Sequence, residues 1–243
     1  MDISLQGKKI LVTGATGGIG VAIIGQLLQS GAQVTGSYFQ DQSAADALQK
    51  QGTCMMRADL GDRLAVRSLV QKTLEQSGGA IDALIYAAGN TRDHTLMKMT
   101  DDEWDSVIGV HLTGLVTACK ELLPSMQQRK QGKIIALGSQ SGLTGRMGQA
   151  NYSAAKAGAA GFIKTLAREA GRFGVTANLV CPGFVDSKMT RSAPPEAWER
   201  AKAASALGTV SSAQTVASFI AWMVSDHCAG VTGQIFQLDS RIL

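Results

Sequence analysis

The stretch "LVTGATGGIGVAII", residues 11–24, holds the decision about the fold. An apolar run breaks at a cluster of glycines and resumes as an amphipathic helical pattern. Glycine permits a tight strand-to-helix turn and lets backbone approach a ligand closely, and the helix N-terminus beyond it attracts an anion such as a pyrophosphate. Gly14, Gly18 and Gly20 are spaced G-x-x-x-G-x-G, not the G-x-G-x-x-G of the commonest dinucleotide fingerprint. A plain structural turn would also account for such a cluster. Its surroundings separate the two readings.

Outward from the turn, short apolar runs at 9–13, 33–38, 53–57, 83–86, 133–137, 176–180 and 234–238 alternate with helical patterns at 18–30, 42–51, 62–76, 101–128, 151–172 and 212–225. This alternation predicts an α/β fold: a doubly wound sheet of about seven mostly parallel strands, with helices on both faces. The strands are continuous apolar runs, as expected where both faces are covered. No linker or repeat divides residues 1–243, a length that suits one domain. One long interruption, 184–208, contains Pro194-Pro195. It reads as a substrate lid or as a surface insertion.

Composition narrows the function classes. The chain is 45% apolar and 17% charged with a net charge of +4, and no Lys/Arg run makes a nucleic-acid track. Cys54, Cys119, Cys181 and Cys228 are scattered, which argues against zinc and against a disulfide framework, and for reduced thiols in a cytoplasmic setting. The start "MDISLQGKKI" lacks a signal-peptide layout, and no uncharged apolar run approaches membrane-spanning length. The expectation is a soluble protein without metal, membrane or nucleic-acid partner.

Asp59-Leu60 follow the third strand and Ala88-Gly89 the fourth, at the strand ends where open α/β sheets bind ligands. Tyr152 and Lys156, in "NYSAAKAG" (151–158), stand one helical turn apart among small residues, so they share a helix face. With the T-G-x-x-x-G-x-G at 13–20, Ser139 after the fifth strand, Y-x-x-x-K at 152–156 and Pro182-Gly183, the chain resembles the short-chain dehydrogenase/reductase family over nearly its whole length. Within the family it is similar to the β-ketoacyl-acyl-carrier-protein reductases, through "AGNTRDHTLMKMTDDEW" (88–104), "GQANYSAAKAG" (148–158) and "CPGFVDSKMT" (181–190).

The resemblance implies a Rossmann-type domain and a division of labour. Tyr152 is the acid that protonates a ketone oxygen. Lys156 lowers the phenol from its ordinary pKa near ~10 and holds the nicotinamide ribose, and Ser139 orients the carbonyl. Cofactor positions are Gly14, Thr16, Gly18, Ile19 and Gly20 in the turn, then Ser37, Asp59, Leu60, Ala88 and Gly89, then Tyr152, Lys156, Pro182, Gly183, Val185 and Ser187. Ser187 stands where threonine is usual, and Asn178 reads as structural. No acid ends the second strand: Ser37-Tyr38 are there and Asp41 lies further along, so NADPH is favoured over NADH. Gly17 occupies the place where many relatives carry a basic residue, so no phosphate clamp is evident.

Three departures matter. His111 replaces the asparagine that holds a relay water; it reads as a working replacement, able to titrate near neutrality, or as a tolerated change. Tyr86 and Ala87 replace asparagines, which removes a polar group from the sheet centre. The tail "QLDSRIL" replaces a glycine-rich ending and leaves the oligomer geometry open. An acyl carrier protein partner would meet Arg129, Lys130 and Arg172 at the site mouth, unless these are ordinary solvated loops. The helices near 101–128 and 151–172 imply a homo-oligomer, a tetramer or a dimer. The implied activity is NADPH-dependent reduction of a carrier-bound 3-oxoacyl thioester in fatty-acid or polyketide-like synthesis. The alternatives are a reductase or dehydrogenase of free ketones or alcohols, and a weakly catalytic nucleotide-binding partner subunit.

Overall fold

Strand β1 (Lys9–Thr13) runs into the glycine turn and emerges as helix α1 (Gly18–Gln29). The computed structural model describes residues 3–186, 190 and 194–241. After α1 come β2 (Gln33–Tyr38), α2 (Gln42–Lys50), β3 (Cys54–Arg57), α3 (Arg63–Gln76) and β4 (Ala83–Tyr86). Then follow α4 (Asp101–Ile108), a π-helical turn (Gly109–Thr113), α5 (Gly114–Arg129), β5 (Gly132–Leu137), α6 (Ser141–Thr144), α7 (Ala150–Ala170) and β6 (Val175–Pro182). The chain continues through β7 (Val185–Asp186), α8 (Pro195–Ala203), β8 (Ser211–Ser212), α9 (Ala213–Val224) and β9 (Ile235–Leu238).

Seven strands form one sheet in the order β3-β2-β1-β4-β5-β6-β9, every neighbouring pair parallel. The chain winds outward from β1 through β2 and β3, then outward the other way from β4. That reversal opens a crevice at the C-terminal ends of β1 and β4. Successive strand residues enter opposite layers: Leu11 packs under α3, α5 and α7, while Ile10 and Val12 pack under α1 and α9. Both faces are therefore apolar, and the runs do not alternate.

The expected elements are present, with boundaries shifted by a residue or two. The exception is the stretch 101–128, read as one regular helix. It starts with a capping box, in which the Thr100 hydroxyl accepts from the Glu103 N–H and the Glu103 carboxylate accepts from the Thr100 N–H. It is then interrupted by the π turn around His111. A one-residue bulge shifts the helix phase without breaking the apolar stripe, so periodicity alone passes over it. The continuous run Asp101–Arg129 is long and apolar enough to cross a bilayer by length and composition, although charges at Asp105 and Lys120 bound its uncharged stretch. Here it is the central packing helix: Leu115, Ala118, Cys119, Leu122 and Met126 are all buried in the core.

Candidate active site

The turn makes a cradle. Gly17 stands at the N-cap of α1 with no side-chain cap, so the first N–H groups of the helix face outward for an anion. Gly14 has φ +67°, and a Cβ there would lie 2.6 Å from Ala88 Cα; one on Gly20 would lie 2.2 Å from the Gly14 carbonyl oxygen. Larger residues cannot occupy either place. The Thr13 hydroxyl accepts from the N–H groups of Ala87 and Ala88 at 3.2 and 3.4 Å, clamping the ends of β1 and β4. Ala15 N–H donates to the Ser37 carbonyl at 2.9 Å, which brings in the end of β2. Asp59 closes its own turn by accepting from Gly61 N–H at 2.9 Å, beside buried Leu60. Gly14, Thr16, Gly18, Ile19, Gly20, Ser37, Asp59, Leu60, Ala88 and Gly89 thus converge at the switch point. An uncapped helix start behind glycines with no room for a side chain fits a dinucleotide pyrophosphate.

Ser139, Tyr152 and Lys156 converge a few residues along the same edge. Ser139 Oγ accepts from Ser141 N–H at 3.2 Å, and the serine hydroxyl is near enough to the Tyr152 phenol to pull its pKa downward. Asn151 anchors the start of α7: its amide donates to the Arg92 and Glu103 carbonyls at 3.0 and 3.2 Å, and its carbonyl accepts from Tyr152 N–H at 2.7 Å. Gln149 bonds Ser141 and Asp93. Neither positioning residue was singled out from sequence, although both lie inside the quoted "GQANY". Lys156 is buried; its Nζ donates to the Leu137 carbonyl at 2.6 Å and lies 5.6 Å from the Tyr152 ring centroid.

One expectation needs correction: burial holds the Tyr152 hydroxyl above its ordinary value, against the downward pull of Ser139 and Arg146, so the net lowering foreseen is not seen. The Lys156 ammonium gives one of its three donors to the Leu137 carbonyl. Its own pKa is lowered to about 8 by burial, while the neighbouring Cys181 thiol raises it slightly. Cys181 itself is pushed up by burial.

His111 lies in the same cluster, 3% exposed, its ring edge-on to Tyr152 at 5.0 Å between centroids. Its Nε2 sits 3.0 Å from Asn90 N and 2.7 Å from Asn90 O, and its Nδ1 is buried without a hydrogen-bond partner. Burial, then the charge of Lys156, lowers its pKa to about 3. The expectation of titration near neutrality is therefore overturned: the ring is neutral. Nor is the sheet centre short of a polar group. The Tyr86 hydroxyl donates to the Val110 carbonyl at 2.7 Å and so holds the π turn that aims His111.

Pro182 ends β6 at this edge and Gly183 and Val185 follow it, while Ser187 lies outside the described residues. Asn178 is structural, bridging Val231 O and Gln234 N. Arg129, Lys130 and Arg172 do not join the site. α5 and α7 run back from the crevice, so their C-termini lie at the opposite edge of the sheet. There Arg129 donates to Asp82 at 2.9 Å and to the Ile81 carbonyl at 2.5 Å, Lys130 is the exposed left-handed C-cap of α5, and Arg172 stacks on Phe173 at 4.7 Å. A basic residue missed in the sequence, Arg57, pairs in register with Tyr38, and its Nε donates to the Phe39 carbonyl at 3.1 Å. Its charge stands beside the end of β2, and only the strand register reveals it.

A nucleotide cradle continuous with a Ser/Tyr/Lys cluster at the switch point of a parallel sheet defines a nicotinamide-dependent oxidoreductase. The chain belongs to the short-chain dehydrogenase family, whose model matches residues 8–220. It is 37% identical over 240 residues to the 3-oxoacyl-[acyl-carrier-protein] reductase FabG of Salmonella typhimurium and to that of Escherichia coli, covering 98% of each chain in both cases. The FabG of Thermotoga maritima is 34% identical over 244 residues, covering 98% of this chain and 99% of its own. A crystal structure of gox2181 superposes with a TM-score of 0.91 at 30% identity, covering 98% of this chain and 96% of that one.

Proposed function

We propose that the protein reduces a 3-oxoacyl thioester, carried on an acyl carrier protein, to the 3-hydroxyacyl thioester with NADPH. The observation carrying this reading is buried Lys156, its Nζ 5.6 Å from the Tyr152 ring centroid, on the same sheet edge as Ser139 and the anion cradle. A dihydronicotinamide held by the cradle and Lys156 would supply the hydride that the ketone carbon accepts. Ser139 donates to the ketone oxygen and stabilises its growing negative charge, and Tyr152 passes its proton to that oxygen. A phenol pushed up by burial keeps that proton until the oxygen becomes basic. Lys156 holds the ribose hydroxyls and stabilises the phenolate left behind. Neutral His111 offers Nδ1 to the proton relay that refills Tyr152, in the role asparagine has in relatives.

The adenosine end supports NADPH. Ser37 Oγ is buried without a partner, Asp41 is engaged in capping α2, and Arg57 brings a guanidinium to the end of β2. Val185 and Ser187 would hold the carboxamide beyond Pro182-Gly183, and residues 184–208 would form the lid. Arg129, Lys130 and Arg172 lie at the far edge of the sheet from the site, so a carrier-protein role for them would require a second copy, and a homo-tetramer is the assembly we propose on resemblance. Unpaired thiols at all four cysteines suit a reducing cytoplasm. The test is NADPH oxidation with 3-oxoacyl groups on carrier protein, on small thiols, and as free ketones. Turnover of the thioesters is expected. Turnover of free ketones alone would favour the alternative reductase, and none at all the non-catalytic partner.

A further inference from the structure

The tail that departs from the family's ending acquires a place in the fold. After β9 the chain turns back on itself: Ser205 and Arg241 form an antiparallel bridge, Ala206 N–H donates to the Ser240 carbonyl at 2.9 Å, and the Ser205 and Ser240 hydroxyls bond at 2.5 Å. These contacts bring Arg241 into the wall of a cavity of about 360 Å³ that opens on Ser139. Arg146, from the loop before α7, and Arg200, from α8, line the same cavity. Three arginines therefore line a cavity that shares Ser139 with the catalytic cluster.

Their charge is poorly balanced. No Asp or Glu is among the described lining residues. Arg241 is paired with Asp239 through Nε, which fixes its plane and leaves the terminal nitrogens for other acceptors. Arg200 reaches only the Glu196 carbonyl on its own helix, at 3.3 Å, and Arg146 has no ion pair among the described residues. Arg146 is also near enough for its charge to pull the Tyr152 hydroxyl downward. Arg146 and Arg200 are exposed along the cavity and Arg241 is half-buried in its wall; positive charge on one concave wall attracts anions, and planar guanidiniums match carboxylate and phosphate oxygens two at a time.

We propose that the substrate carries a second, anionic group, a carboxylate or a phosphate, held by Arg146, Arg200 and Arg241 while its ketone meets Ser139 and Tyr152. The second half of this statement rests on the reductase reading above. The oxyanion has two possible sources: a carboxylate at the far end of the acyl chain, or the phosphate of a pantetheine arm. Either makes the arginines determinants of specificity, with the catalytic hydroxyls left to the chemistry.

Three thioesters of one 3-oxoacyl group separate the possibilities: neutral N-acetylcysteamine, the same thioester with a terminal carboxylate on the acyl chain, and 4′-phosphopantetheine. NADPH oxidation would be followed for the wild type, Arg200→Gln and Arg241→Gln, with Lys202→Gln as a charge-matched control on an exposed part of α8. The wild type should prefer at least one anionic form by about tenfold or more in kcat/KM. Each arginine variant should lower that preference by about tenfold, mainly through KM, and the lysine control should leave it intact. A gain with the terminal carboxylate assigns the acyl end; a gain with phosphopantetheine assigns the arm. Equal use of charged and neutral thioesters by the wild type would overturn the proposal. Calorimetric titration with glutarate and with 4′-phosphopantetheine gives a readout free of turnover. Arginine-dependent binding without ketone reduction would sink the reductase reading and keep the anion site; reduction with no charge preference would do the reverse.

Discussion

The two edges of the sheet treat their polar groups in opposite ways. At the N-terminal edge most charged donors are met within the chain, although Arg129 Nε and Thr53 Oγ1 are buried without partners. Lys133 Nζ donates to the carbonyls of Met223, Ser225 and Cys228 at 2.9, 2.5 and 3.2 Å. Lys9 reaches the Ser77 carbonyl at 2.6 Å, Arg129 binds Asp82 and Ile81, and Lys8 pairs with Asp226 at 2.7 Å. At the C-terminal edge α1 is uncapped, Ser37 Oγ and His111 Nδ1 are buried without partners, and Arg146 is unpaired among the described residues. Unmet hydrogen-bonding capacity is costly unless something arrives to meet it. The lysines of the first edge are spent on backbone carbonyls and a carboxylate, whereas the second edge turns an uncapped helix start and buried polar atoms toward the crevice.

The sharpest way to break this contrast is Tyr152→Phe. It should cut ketone reduction by about 10²–10⁴-fold with the thermal midpoint nearly unmoved; full activity would remove the phenol from the chemistry. His111 comes next. His111→Leu should cost roughly 10–100-fold by deleting the ring nitrogens, while His111→Asn should stay within a few-fold. A fully active leucine variant would make the histidine mere packing.

Arg57→Ala should narrow the NADPH-over-NADH preference by about tenfold, read from the two KM values, if that guanidinium meets a 2′-phosphate. The pH profile is subtler. Lys156 keeps its charge below about 8 and loses it above, so reduction should fall as pH rises through that value. Between about 8 and the free lysine value of 10.5 the unfolded chain holds a proton that the folded chain has lost, so this residue makes stability rise with pH there. His111, lowered to about 3, should add no inflection between pH 5 and 7. An inflection there that vanishes in His111→Asn would show the ring changing charge. The smallest effect on activity belongs to the other edge. Lys133→Met should leave kcat/KM alone yet cost about 1–3 kcal/mol of stability, seen in urea unfolding, because three carbonyls lose their donor.

The fold was legible because the two-faced burial of a parallel sheet writes itself into the chain as apolar runs separated by helical patterns. The cluster of Ser139, Tyr152 and Lys156 was legible because it is local to two short motifs. What escaped depends on contacts distant in sequence. Arg57 comes beside Tyr38 only through strand register. Tyr86 meets Val110 only because the π turn shifts the helix phase. Arg241 enters the cavity only through a bridge to Ser205. The neutrality of His111 and the turning of Lys156 toward Leu137 were likewise invisible, since both follow from burial rather than residue type.

Gly89 and His111 are bound into one unit: a methyl group at residue 89 would stand 2.4 Å from the imidazole Cε1. A lineage carrying this histidine has therefore surrendered the freedom to drift at its neighbour, and an exchange forbidden today becomes permissible once a shorter side chain occupies 111. Gly89→Ala should be severely harmful alone and mild in combination with His111→Asn, a sign of history written into two positions that single-site scanning would record as unrelated.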